Sequence, residues 1–139
     1  MKPGLDYIYI GVGVGAFVMN DAGEFLLMKR GEKVSTEPSA WALPGGKVDF
    51  GETMKNAVTR EVEEELGIVV KITNQFPSYD YIVPEENQHW LTNIFNVKII
   101  SGTPAIQEPE KCSEIGWFTF DTLPSPIAKM SQQAIDNLL

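Results

Sequence analysis

Between Gly46 and Ile68 the chain reads GKVDFGETMKNAVTREVEEELGI, and no other stretch constrains the fold as strongly. Pro44 and the glycines at 45, 46 and 51 predict a loop. Thr53 predicts an N-cap for a helix that opens near Met54. Met54, Val58, Val62 and Leu66 recur every fourth residue and make an apolar stripe. Gly67 stands where a left-handed residue would end the helix.

The same helix gathers acid on one side. With Glu61 set at zero and about 100° per residue, Glu65 falls near +40° and Glu64 near −60°. Glu63 points roughly the other way and is expected to be solvated. Like charges three and four apart cost a helix about 0.2–0.5 kcal/mol per pair. A divalent cation offsets that repulsion directly. Oxygen donors without an accompanying Cys or His pair suit Mg²⁺ or Mn²⁺ rather than zinc. Arg60 is expected to fork onto a neighbouring carboxylate and hold the cluster in place. The plain alternative is a solvated acidic helix, against which the glycine loop, Arg60 and the spacing all weigh.

The 139 residues predict a single domain, 1–139, with enough length for a real core. Net charge is −8, which argues against nucleic-acid polymers and anionic membranes as partners. A small anionic substrate still fits, because bound metal inverts the local charge. The lone Cys112 excludes an intrachain disulfide and fits a cytoplasmic setting. The first residues, MKPGLDYIYIGVGVG, carry no signal-peptide pattern, and no stretch approaches a membrane span.

Tyr7–Asn20 reads as a strand, Asn20-Asp21-Ala22-Gly23 as a turn and Glu24–Arg30 as the returning strand of a hairpin. Gly11-Val12-Gly13-Val14-Gly15 superficially suggests a dinucleotide loop, but a strand follows it where that motif needs a helix. Residues 31–40 read as a polar loop, and Trp41-Ala42-Leu43 as a short strand. Further strands are expected over Val69–Phe76, Ser78–Val83, His89–Ile100 and Glu114–Thr119. Ile127–Leu138 reads as a C-terminal helix. Strands on both sides of one central helix predict an α+β architecture with a mixed sheet.

The run from Gly46 to Ile68 resembles, without gap or mismatch, the signature of the Nudix hydrolases. That signature is G-x5-E-x7-R-E-U-x-E-E-x-G-U, with U bulky and aliphatic. Seven fixed residue types and two aliphatic positions fall in register, and the expectation by chance is on the order of 10⁻⁸. WALPGG at 41–46 and the EIGWF…LP pattern at 114–124 are also similar to that family. The resemblance implies a Nudix α/β/α sandwich with a central mixed sheet, a loop–helix–loop box and a C-terminal helix. It implies metal held by the Gly45 carbonyl and by Glu61, Glu64 and Glu65, with Glu61 as ligand or base. Glu52 is expected to prop the loop against the helix. A distal carboxylate from the loop before the last strand completes many such sites. Glu110 is the first choice here, and Glu108 and Glu114 are the alternatives.

GVGVG, LLMKRG, NQHWLT and EPEKC together resemble the MutT-like nucleoside triphosphate diphosphatases. Lys29 and Arg30 are then candidate phosphate contacts, or else a solvated strand end. Thr92 matches a threonine that touches the base. His89 either touches base or phosphate or serves as a structural hydrogen-bonder. Where the subgroup places a stacking aromatic at the last helix, this chain offers Ile127, Met130 and Ser131. The resemblance leaves room for a homodimer. The expected activity is metal-dependent cleavage of a nucleoside triphosphate into monophosphate and pyrophosphate. Pro84, placed like the marker proline of Nudix ADP-ribose pyrophosphatases, keeps a nucleotide-sugar substrate as the alternative. A non-catalytic nucleotide sensor is the third reading, against which the intact box argues.

Overall fold

The computed structural model describes residues 9–139. The expected start of the first strand, at Tyr7 and Ile8, lies outside the described residues. Eight strands form one mixed sheet: β1 (Gly11–Met19), β2 (Phe25–Arg30), β3 (Trp41–Ala42), β4 (Gly45–Lys47), β5 (Val69–Gln75), β6 (Tyr79–Val83), β7 (Gln88–Ser101) and β8 (Cys112–Phe118). The central path runs β3-β2-β1-β7-β5, with β4 on β1, β6 on β7 and β8 on β2. Among the strands of the described residues only β1 and β7 pair in parallel, with Gly11 opposite Trp90 and Met19 opposite Lys98. The first hairpin closes through Asn20, whose side-chain oxygen accepts from the N–H groups of Ala22 and Glu24.

Two helices cover the two faces. Helix α1 (Met54–Leu66) begins as its caps predict: Thr53 accepts from the Asn56 N–H, and Gly67 ends it at φ 69°. Its Val58, Val62 and Leu66 are fully buried against Val14, Ala16 and Val18 of β1 and Phe95 and Val97 of β7. Each such side chain contributes about 1.5–3 kcal/mol of hydrophobic stabilisation. Helix α2 (Lys129–Leu138) lays Ala134 and Ile135 over Phe17, Leu27 and Ile94 on the opposite face. The alternation along β1 thus feeds two cores, and the expected α/β/α sandwich is present. Among the described residues no helix is long and apolar enough to cross a membrane.

Two expectations shift. Gly45–Lys47, read as loop, is a short strand, because β1 offers it backbone partners at Gly13, Val14 and Gly15. The last helix starts at Lys129 rather than Ile127, because Trp41 accepts from the Ala128 N–H and holds that segment in extended form.

Candidate active site

β4 meets the C-terminal half of α1 through Gly45 and Gly46, and position 45 requires glycine. A Cβ on Gly45 would stand 2.2 Å from the Val14 carbonyl oxygen. One on Gly46 would stand 2.5 Å from the Glu61 carboxyl carbon. The strand is therefore bare backbone where the helix carboxylates reach it.

Arg60 organises this junction. Its Nε donates to Glu52 Oε2 at 2.7 Å and its Nη2 to Glu52 Oε1 at 2.9 Å, a two-pronged contact. Nη1 donates to Glu61 Oε1 at 2.8 Å and to Glu64 Oε2 at 3.3 Å, and Nη2 also reaches the Lys47 carbonyl at 3.2 Å. Glu52 in turn accepts from the Asp49 N–H, so it ties the loop to the helix through Arg60. These hydrogen bonds hold the Glu52 carboxyl below the usual range, the Arg60 contact most of all. Burial pushes Glu61 upward despite its pairing with Arg60.

Glu65 lies deeper, and its Oε1 accepts from the Gly45 N–H at 2.8 Å. Burial pushes its carboxyl up to about 8, with Glu61 and Glu108 adding repulsion. Among the described residues, no three acidic, histidine or cysteine side chains converge to hold an ion as they stand. Glu61 and Glu64 instead share the guanidinium of Arg60, which is the cation of this arrangement. The donor chemistry nevertheless fits a hard divalent ion. It consists of carboxylate and carbonyl oxygens only, on a strand that the Glu61 carboxylate can approach closely because Gly46 has no side chain. Glu63 is exposed, as its helical phase predicts.

Two cavities flank β4. The smaller, of about 330 Å³, holds Glu65, Glu108, Lys29, Arg30 and Lys111. The larger, of about 700 Å³, opens on the α2 side over Gly13, Gly15, Gly46, Lys47, Trp90 and Thr92. Arg30 and Gly45 border both.

The expected site residues separate accordingly. Glu108, the second choice, lies with Glu65, whereas Glu110 is exposed and borders neither cavity. The cause is a tight turn: the Glu108 carbonyl accepts from the N–H groups of Lys111 and Cys112, which carries Glu110 to its outer side. Lys29 faces the smaller cavity, while the Arg30 guanidinium donates to the Thr36 carbonyl at 2.9 Å. Thr92 is 4 % exposed, its hydroxyl has no protein partner among the described residues, and it lines the larger cavity. His89 borders neither cavity and pairs with Asp80 at 3.0 Å across the β6–β7 ladder. That is the structural alternative for His89. Met130 and Ser131 line the larger cavity and Ile127 does not. Sequence reasoning passed over Lys47, Trp90 and Lys111. Trp90 sits beside the glycine alternation of β1, and that alternation was the available signal.

A loop–helix–loop on an α/β/α sandwich, with its acids on one helix face against a glycine strand, has the make-up of a phosphoanhydride hydrolase. The NUDIX domain model matches residues 10–138, and the chain belongs to the Nudix family as a Nudix pyrophosphohydrolase. Nudix hydrolases use divalent metal ions. The chain is 30 % identical over 118 residues to an ADP-ribose pyrophosphatase of Methanocaldococcus jannaschii, covering 85 % of this chain and 67 % of that protein. It is 30 % identical over 112 residues to a putative 8-oxo-dGTP diphosphatase of Bacillus subtilis, covering 79 % and 68 %. A crystal structure of a MutT Nudix hydrolase from Burkholderia pseudomallei superposes with a TM-score of 0.85 at 37 % identity, covering 94 % of this chain and 99 % of that one.

Proposed function

We propose that this chain hydrolyses a nucleoside triphosphate to a nucleoside monophosphate and pyrophosphate with Mg²⁺ or Mn²⁺. One observation carries the reading: the larger cavity runs from a buried, unpartnered Thr92 hydroxyl to Gly46 and Lys47, beside which Glu61 stands. A base and sugar fit the α2-side chamber, and the phosphates then lie along β4 toward α1. Glu61, Glu64, Glu65 and the Gly45 carbonyl are the oxygens that would hold the metal. When bound, the metal neutralises the anhydride and acidifies a water. Glu61 would serve as a ligand to that metal or take a proton from that water, and Arg60 hydrogen-bonds to both Glu61 and Glu64. Lys29 and Lys111 offer positive charge to the phosphates from the smaller cavity. The similarity to a putative 8-oxo-dGTP diphosphatase supports the triphosphate.

An ADP-ribose-type substrate is the second reading. It is supported by the relative named for that activity and by Pro84, which opens the turn carrying Glu86 to the cavity rim. A comparison of kcat/KM across dNTPs, NTPs and ADP-ribose decides between them. Triphosphates should be favoured, and a preference for ADP-ribose of about ten-fold or more would overturn the first reading.

Glu108 is the proposed distal carboxylate in place of Glu110. Glu108→Gln should lower kcat/KM about ten-fold or more, while Glu110→Gln should stay close to wild type. The reverse order in steady-state assays would restore Glu110 to the site.

A further inference from the structure

Trp90 pairs with Gly11 in the parallel β1–β7 register, so residues 11, 13 and 15 share a sheet face with 90, 92 and 94. Residues 11, 13 and 15 are all glycine. A Cβ on Gly11 would lie 2.5, 2.6 and 3.1 Å from Cζ3, Cε3 and Cη2 of Trp90. Three successive ring carbons at such similar distances put that point over the face of the ring. Beyond the ring edge, the third carbon would recede much further. The indole therefore stands across β1 between positions 11 and 13, with one face against Gly11, where a Cβ would collide with it. The nearest ring atom to a Cβ on Gly13 would be 3.5 Å away, in ordinary contact. Gln88 anchors the ring, since the indole Nε1 donates to Gln88 Oε1 at 2.6 Å. The opposite ring face is turned toward Gly13, and Trp90 borders the same cavity as Gly13, Gly15 and Thr92.

We propose that Trp90 is the stacking platform for the nucleobase and sets the affinity of this hydrolase for base-bearing over base-free polyphosphates. This rests on the larger cavity being the nucleotide site. An aromatic base gains from an indole already held by Gln88 and Gly11, because little side-chain freedom is lost on binding. A polyphosphate without a base gains nothing there. Stacking accepts any base through its π-face. Trp90 therefore favours nucleotides as a class, while Thr92 hydrogen-bonds to one of them. The glycine alternation of β1 is thereby explained as a substrate-site feature.

The test compares wild type, Trp90→Leu, Trp90→Phe and Gly11→Ala. Steady-state kinetics on a dNTP give KM and kcat, and inorganic tripolyphosphate serves as the base-free competitor. Trp90→Leu should raise KM about 5–100-fold, with kcat within about two-fold of wild type. The inhibition constant of tripolyphosphate should not move. Phenylalanine should restore much of the loss. Gly11→Ala keeps the indole but displaces it, and should reproduce the same split even where the leucine variant folds poorly. A nucleoside monophosphate should quench tryptophan fluorescence in wild type and not in Trp90→Phe. Unchanged KM, or KM and the tripolyphosphate constant rising together, would overturn the proposal. If wild type favours ADP-ribose, the triphosphate reading fails on its own. The same split measured with ADP-ribose then still judges Trp90.

Discussion

Chelation of divalent cations should abolish hydrolysis while leaving the protein folded. Glu61, Glu64 and Glu65 have no catalytic use as bare carboxylates facing an anionic substrate, since like charges repel. Substrate phosphates can approach only when added positive charge outweighs those acids. The fold does not depend on that ion. Arg60 already spans Glu52, Glu61 and Glu64, Glu65 already accepts from Gly45, and both cores are built from apolar side chains. EDTA-treated protein should therefore keep its circular dichroism and lose turnover, and Mg²⁺ or Mn²⁺ should restore it. Metal at 100 times its dissociation constant should add about 2.7 kcal/mol of stability, seen as a higher melting temperature. Full turnover in metal-free protein would remove the metal mechanism. Unfolding on chelation would show that Arg60 does not compensate the acids.

The central helix was legible because its signals are local. Thr53 and Gly67 act within a turn of their own positions, and the stripe of Val58, Val62 and Leu66 needs only helical periodicity. The phase of Glu61, Glu64 and Glu65 came from the same periodicity. What stayed hidden depends on distant partners. Gly45–Lys47 has poor strand propensity and becomes a strand because β1 lies alongside it. His89 by itself does not separate a substrate contact from a structural hydrogen bond, and it is the β6–β7 ladder that brings it to Asp80. Glu108 and Glu110 differ by two residues in sequence, and only the turn at Lys111 and Cys112 decides which faces Glu65. Trp90 is meaningless beside Gly11 until a parallel pairing joins two segments far apart in the chain.

Glu64→Gln and Glu65→Gln should each cut kcat by about 10²–10³-fold, by analogy with loss of a single oxyanion donor. A glutamine is nearly the shape of glutamate but brings no negative charge to a metal. The lost interaction is therefore made mainly in the transition state, where charge on the leaving phosphate must be neutralised. Stability should respond differently. Glu64 is more than half exposed, so removing its contact with Arg60 should change folding free energy by less than about 1 kcal/mol. Glu65 is half-buried and close to other acids, and a glutamine there still accepts from the Gly45 N–H through its amide oxygen. Metal-free Glu65→Gln should thus be at least as stable as metal-free wild type in urea unfolding. Glu63→Gln is the internal control, because Glu63 lies exposed on the other side of α1 and meets neither β4 nor Arg60. Its kcat should match wild type. If Glu63 and Glu64 lost activity equally, the acidic face of α1 would not be the one turned toward Gly46, and the metal site drawn from it would fall.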